Sequence, residues 1–244
     1  MTVKEFSDQF DTLLNSYAGV PEFGDGSSKV EITLDEYEKS VFLTRAQKQF
    51  VVDYYSGTNQ SIYSFEEKEK IREALDTLVA TYKTSTSEES LERGLDDGKH
   101  RFTIYSIPTN LLWIIYEQVK YATETGCVCA DGEYAEVIPA THDELHRRLR
   151  NPFRGPRLYR VLRLNIADNL VELISDYPIG SYLLRYVKEP TPIILTDLGD
   201  GLSIDGEVNE MTCELPDIVH PYILDYAVRL AIQSRSIGTP TTRK

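Results

Sequence analysis

Two histidines four residues apart, His142 and His146, have the spacing of a metal-binding helix. On one helical face such a pair serves a zinc protease, with a glutamate directly after the first histidine as general base. Here Asp143 holds that place, and Pro139 and Pro152 confine the helix to a few turns. A metal-dependent hydrolase built on His142 and His146, with His100 or His220 as a further ligand, is one reading. A capped surface helix is the plainer one. Cys127 and Cys129 flank Val128, so on a strand their thiols face opposite sides. A structural zinc site needs four ligands and the partner pair is missing, which leaves free buried cysteines as the expectation. Asp197, Asp200, Asp205 and Glu207 resemble a calcium loop in composition, but the alternating acids and closing glutamate of an EF-hand are absent, so a solvated acidic loop is expected. No Gly-rich phosphate loop and no nucleophile elbow are present. The residues call for no catalytic group, metal or cofactor.

The sharpest anomaly is a run of seven arginines: Arg147, Arg148, Arg150, Arg154, Arg157, Arg160 and Arg163. Guanidinium presents a planar fork of donors suited to carboxylates and phosphates. Three readings follow: nucleic-acid contact, an ion-pair seam against a neighbouring subunit, or a solvated face with local salt bridges. The net charge of −13 opposes nucleic acid. Residues 1–100 carry net −9, 101–140 net −3 and 164–244 net −6, whereas 141–163 carry net +5. One basic segment in an acidic body suits subunits that dock head to tail, with these arginines as the interface.

The elements that position these groups follow from periodicity. Phe6, Phe10, Leu13, Leu14 and Tyr17 predict a helix from Val3 to Tyr17, stopped by Gly19 and Pro21. A capping box at Thr33–Glu36 opens a second helix to about Tyr55, with Tyr37, Val41, Phe42, Phe50, Val51 and Tyr54 inward. Another box at Ser64–Glu67 opens a third to about Tyr82. Residues 84–100 are a polar linker that cannot form a core of its own. From Phe102 the period shifts toward two. Strands are predicted over Arg101–Ile107, Leu111–Ala122, Glu133–Pro139, Leu158–Ile166, Leu170–Ile174 and Ser181–Val187, with a short helix after Thr141. Pro190 and Pro192 end the last strand. An acidic loop (196–214), a closing helix (215–236) packed on the β domain (101–195), and a polar tail (237–244) complete the chain. This is an α+β arrangement: helices over 1–83, a central antiparallel β-rich sheet or sandwich, and a covering helix.

A chain of 244 residues can bury a sizeable core as one large domain or two small ones. No apolar stretch approaches a membrane span, and no secretory signal is visible at the N-terminus. Three cysteines form too odd and sparse a set for a disulfide framework.

The last third carries a resemblance. Leu184-Arg185-Tyr186-Val187-Lys188-Glu189-Pro190-Thr191-Pro192-Ile193-Ile194-Leu195 precedes the acidic stretch. Then come Cys213-Glu214-Leu215-Pro216, His220 and the helix Ile223–Ala231. This order, over about residues 181–235, resembles virion neck and tail proteins of tailed bacteriophages, in particular the ring proteins of crAss-like phages. The resemblance implies a non-enzymatic structural subunit in a ring of twelve copies between portal and tail. It further implies synthesis in the host cytoplasm, residence in the virion, and contacts with portal, other ring or tail proteins. An assembly-regulating binding module is the alternative of another class.

Overall fold

The computed structural model describes residues 1–18, 33–56, 73, 75–85, 99–123, 129–199 and 201–236. The chain forms two compact units, Met1–Leu78 with Pro190–Lys244, and Val79–Glu189. In chain order the described elements are α1 (Val3–Ala18), α2 (Glu36–Ser56), β1 (Val79–Thr84), β2 (Arg101–Ser106), β3 (Leu111–Tyr121), β4 (Tyr134–Pro139), α3 (His142–Arg150), β5 (Arg160–Ala167), β6 (Leu170–Ser175), β7 (Ile179–Lys188), a 3-10 turn (Asp217–Val219) and α4 (His220–Ser236). The α+β class is as expected.

In the first unit, α1 buries Val3, Phe6, Phe10 and Leu14, one stripe of a 3.6-residue period. Thr2 and Glu5 cap it reciprocally: Thr2 N donates to Glu5 Oε2 (2.7 Å) and Glu5 N to Thr2 Oγ1 (3.3 Å). α2 starts later than Thr33 suggests. Its cap is Asp35, whose N–H donates to Glu38 Oε2 at 3.3 Å. Its inner face is partly polar, for Ser40, Thr44 and Gln47 are buried beside Leu43, Ala46, Phe50 and Val51. Val41, expected inside, is exposed.

Those polar residues hold the proline-containing segment after β7. Pro190 and Pro192 have no N–H to give a sheet, so the chain stays extended and turns alternate backbone groups toward α2. Gln47 Nε2 donates to Thr191 O (3.3 Å), Ile193 N donates to Thr44 Oγ1 (3.0 Å), Thr44 Oγ1 donates to Ile193 O (3.2 Å), and Leu195 N donates to Ser40 Oγ (3.0 Å). Residues 191, 193 and 195 thus meet positions 47, 44 and 40, the strand period matched to the helix period. Within this unit α4 packs on α1 and α2, burying Ile223, Leu224, Ala227, Val228 and Ala231.

The second unit is a seven-stranded sheet in the order β1-β7-β3-β4-β5-β6-β2. Every pairing is antiparallel except β4–β5, the two strands that α3 connects. The sheet curls. Tyr105 on β2 and Tyr182 on β7 stand five strands apart in the order, about 24 Å in a flat sheet, yet their ring centroids are 5.6 Å apart. Three register shifts between β3 and β7, two with the extra residue in β3 and one with it in β7, are bulges that bend the pair. Gly180 at the start of β7 lies so near Ala122 that an added Cβ would sit 3.2 Å from its backbone. The inner face encloses Tyr105, Val119, Tyr121, Val161, Leu173 and Leu184, among others. α3 covers the opposite face, where Leu145 meets Phe102, Leu162, Leu164 and Ile174.

One further expectation changes. Residues 79–83, expected to end a helix, lie in strand β1, where Val79, Ala80, Thr81 and Tyr82 have the β-branched and aromatic character of a sheet position and pair with β7. By compactness the chain divides after Leu78 and after Glu189, with the segment from Pro190 in the unit of the N-terminal helices. The capping box at 64–67, most of the linker (86–98) and the tail (237–244) lie outside the described residues.

Candidate functional site

The seven arginines occupy α3, the loop after it and β5, and the fold divides their roles. Glu144 takes two of them. Arg148 reaches it through Nε (3.1 Å) and Nη2 (2.9 Å) and gives Nη1 to Pro139 O (3.1 Å), while the exposed Arg147 touches it at 3.1 Å. Arg160 fastens the loop, donating from Nε to Gly155 O (2.9 Å) and from Nη2 to Phe153 O (2.7 Å). Arg163 points inside the curled sheet, where Nη1 stands 3.4 Å from Glu117 Oε2. Among the described residues, the side chains of Arg150 and Arg154 have no ion-pair partner, and the Arg157 guanidinium lies over the Phe153 ring, 5.6 Å from its centroid. The outward members of the run are thus Arg147, Arg150, Arg154 and Arg157.

The loop carrying Arg154 and Arg157 is internally braced. Asn151 accepts from Phe153 N through Oδ1 (2.9 Å) and from Arg154 N (3.0 Å) and Gly155 N (2.9 Å) through its carbonyl. Arg157 and Arg160 exchange backbone hydrogen bonds at 2.9 and 3.0 Å. On this platform Phe153 is 76% and Tyr159 65% exposed. Sequence reading found the arginines and missed these aromatics. The signal was in plain view, since Phe153 and Tyr159 interleave with Arg154, Arg157 and Arg160.

A buried cluster lies on the inner face. Tyr182 donates its hydroxyl hydrogen to Glu117 Oε1, and Glu117 Oε2 faces Arg163. Burial pushes the Glu117 carboxyl above its ordinary range, with Arg163 and Tyr182 opposing. Burial likewise raises the Tyr182 phenol, and Tyr105 is pushed up to about 12. A tyrosine that keeps its proton, bonded to a carboxylate that also faces Arg163, makes a buried hydrogen-bond centre on the inner face.

The candidate metal ligands do not come together: His146 is exposed on α3, and His142, His220 and His100 are bonded elsewhere. His142 Nε2 lies 2.7 Å from Asn165 O, and a carbonyl only accepts, so that nitrogen carries a proton and is closed to a metal. α3 is present, though Thr141 makes no side-chain cap. His220 gives Nε2–H to Leu215 O (2.8 Å), while Nδ1 lies 3.2 Å from both the Met1 amine and Asp217. Burial lowers its pKa below the ordinary histidine value. His100 stands 3.5 Å from Asp176. Among the described residues no three His, Cys, Asp or Glu groups converge on a metal position. Zinc analysis of protein purified without added metal should therefore find well below one equivalent. A stoichiometric ion lost on His146→Ala would contradict this. Cys129, expected free and buried on a strand, is exposed in a turn and disulfide-bonded. Cys127 lies outside the described residues. Cys213 is a free thiol pushed up to about 11 by burial, hence inert at neutral pH.

The acidic loop is a hairpin. Ile194 and Met211 exchange backbone hydrogen bonds at 3.0 Å, as do Ile204 and Glu207, and Leu198 N donates to Val208 O at 2.8 Å. Asp205 (φ 53°) and Gly206 (φ 88°) form its tip, the two positive-φ positions of a tight hairpin turn. Lys48 on α2 pairs with Asp205 at 2.8 Å. Between them a shallow groove of about 320 Å³ is lined by Val41, Val52 and Ile204 together with Thr44, Arg45, Lys48, Gln49 and Asp205. Leu202, Glu207, Val208 and Glu210 face solvent. Among the described residues no helix is long and apolar enough to cross a membrane.

Comparison with known proteins gives the context for this architecture. The profile of the family described as phage tail ring protein 3/4 matches residues 1–243. Ring protein 3 of Bacteroides phage crAss001 is 49% identical over 238 residues, covering 97% of each chain. Ring protein 4/5 of the same phage is 30% identical over 241 residues, covering 95% of this chain and 92% of that protein. The match runs through both units, so the resemblance first visible around residues 181–235 extends across the chain, and this protein belongs to the phage tail ring protein 3/4 family.

Proposed function

We propose that this chain is a non-enzymatic structural subunit that closes into a ring of twelve identical copies in the virion, stacked in the neck between portal and tail. The single observation that carries the reading is family membership along the whole chain, residues 1–243. The chemistry supports it. Among the described residues His142, His220 and Glu117 are bonded within the fold, whereas the outward arginines and the acidic hairpin suit contact with protein. A net charge of −13 also favours a lumen along which nucleic acid slides without sticking. The direct test is reconstruction of particles carrying a labelled copy of this chain, combined with light scattering of the purified protein. Twelvefold density in the neck and a matching solution mass are expected. A chain that is absent from finished particles would favour an assembly-regulating module instead.

A further inference from the structure

We propose that the braced loop 151–159 of one copy docks on the acidic hairpin 196–214 of the next copy, so that these two surfaces form the head-to-tail contact between subunits. The proposal rests on the ring reading above and names the surfaces that close it. Phe153, Arg154, Arg157 and Tyr159 form an exposed patch of the composition that carries interface energy: aromatics to exclude water and guanidinium groups to fork onto carboxylates. The patch is preorganised, because the carbonyls of Phe153 and Gly155 are already held by Arg160 and the turn by Asn151. Little ordering entropy remains to be lost on docking.

The occupant follows from charge and shape. Residues 196–214 hold six acids and no lysine or arginine; residues 121–146 do too, but in 196–214 exposed aliphatic side chains stand among the acids. Asp205 is already paired with Lys48, and Asp197 accepts from Glu210 N at 2.7 Å. Glu207 and Glu210 remain directed to solvent, interleaved with the exposed aliphatics Leu202 and Val208. Two carboxylates three residues apart with aliphatic neighbours complement two guanidinium groups three residues apart with aromatic neighbours. The two surfaces differ, so the contact is heterologous and repeats around a closed ring.

Charge reversal at each surface tests the pairing. Arg154→Glu with Arg157→Glu, and separately Glu207→Arg with Glu210→Arg, each set like charge against like. Each protein should keep the wild-type melting temperature and self-associate more weakly by on the order of a hundredfold in sedimentation at low salt. Mixed in equal amounts they should recover ring-sized assemblies with the two proteins alternating. The reversed loop of the first then meets the reversed hairpin of the second, and the two unreversed surfaces meet in turn. Phe153→Ala should weaken wild-type association at least about tenfold at high and low salt alike, since its contribution is not screened. Rings that persist in either reversed protein, or association lost in both and not regained on mixing, would overturn the docking pair and leave the ring reading standing. A wild-type chain that stays monomeric at every concentration and salt would overturn both.

Discussion

Replacing Arg163 by methionine should destabilise the β-rich unit by about 3–5 kcal/mol at neutral pH, the cost of stranding a buried charge. Glu117 is only 5% exposed, and its carboxylate has two partners on the inner face, Tyr182 and Arg163. Methionine fills much of the arginine's volume, so packing changes little while the positive charge vanishes. Acidification separates this mechanism from a packing defect. A raised carboxyl pKa means that the folded state keeps a proton the unfolded state has released. The stability linked to Glu117 is therefore full below the unfolded pKa and falls as pH rises through the folded pKa. Removing Arg163 raises that folded pKa further. The defect should be deepest at neutral pH and shrink as the solution is taken toward the ordinary glutamate range, where Glu117 is protonated in both states. The double variant Arg163→Met with Glu117→Gln should recover most of the loss, because the amide still accepts from Tyr182 and no charge is buried. Urea midpoints with unchanged slope would measure it. A pH-independent defect, or a double variant no more stable than the single, would show that Arg163 acts through its shape.

Arg163 also marks where the sequence stops being legible. Alternation along β5 correctly places it opposite Leu162 and Leu164, and on a sheet with one wet face that would mean solvent. It lies inside because the sheet curls until Tyr105 meets Tyr182, a closure that goes with bulges in β3, β7 and the β5–β6 pair that no local pattern announces. The six strands from Arg101 onward and the helices α1, α2, α3 and α4 were legible because their periods are long and bounded by Pro, Gly and polar residues. β1 was misread, since Leu75 and Leu78 prolong a helical spacing into a segment whose partner is a hundred residues away on β7. Two signals were present and overlooked: Thr2 and Glu5 form a capping box, and Asp205-Gly206 is a hairpin turn. The candidate docking surface was half visible. Charge counting found the arginines, but only coordinates separate Arg160 and Arg163, which are used internally, from Arg154 and Arg157, which face out.

The polar face of α2 supports a second large effect. Thr44→Val should cost about 2–4 kcal/mol, because one hydroxyl serves both backbone groups of Ile193. Valine has nearly the same shape and is equally branched, so cavity formation and helix propensity barely enter. What changes is that a buried N–H and a buried C=O lose their partner together, each costing roughly 1–3 kcal/mol when unsatisfied, the carbonyl less than the N–H. Ile193 cannot turn to a neighbouring strand, for Pro190 and Pro192 on either side of Thr191 have already ended the ladder. Thr44→Ser is the control. It keeps the hydroxyl and removes one methyl, a loss nearer 1 kcal/mol. If hydrogen bonding is the cause, valine is the worse substitution by a clear margin, and the Ile193 amide, slow to exchange with solvent in the parent protein, exchanges quickly in Thr44→Val and stays slow in Thr44→Ser. If serine proves as damaging as valine and the amide stays protected in both, the methyl contact dominates. The segment after β7 would then be held to α2 by apolar packing, and the match of residues 40, 44 and 47 to 195, 193 and 191 would contribute little to stability.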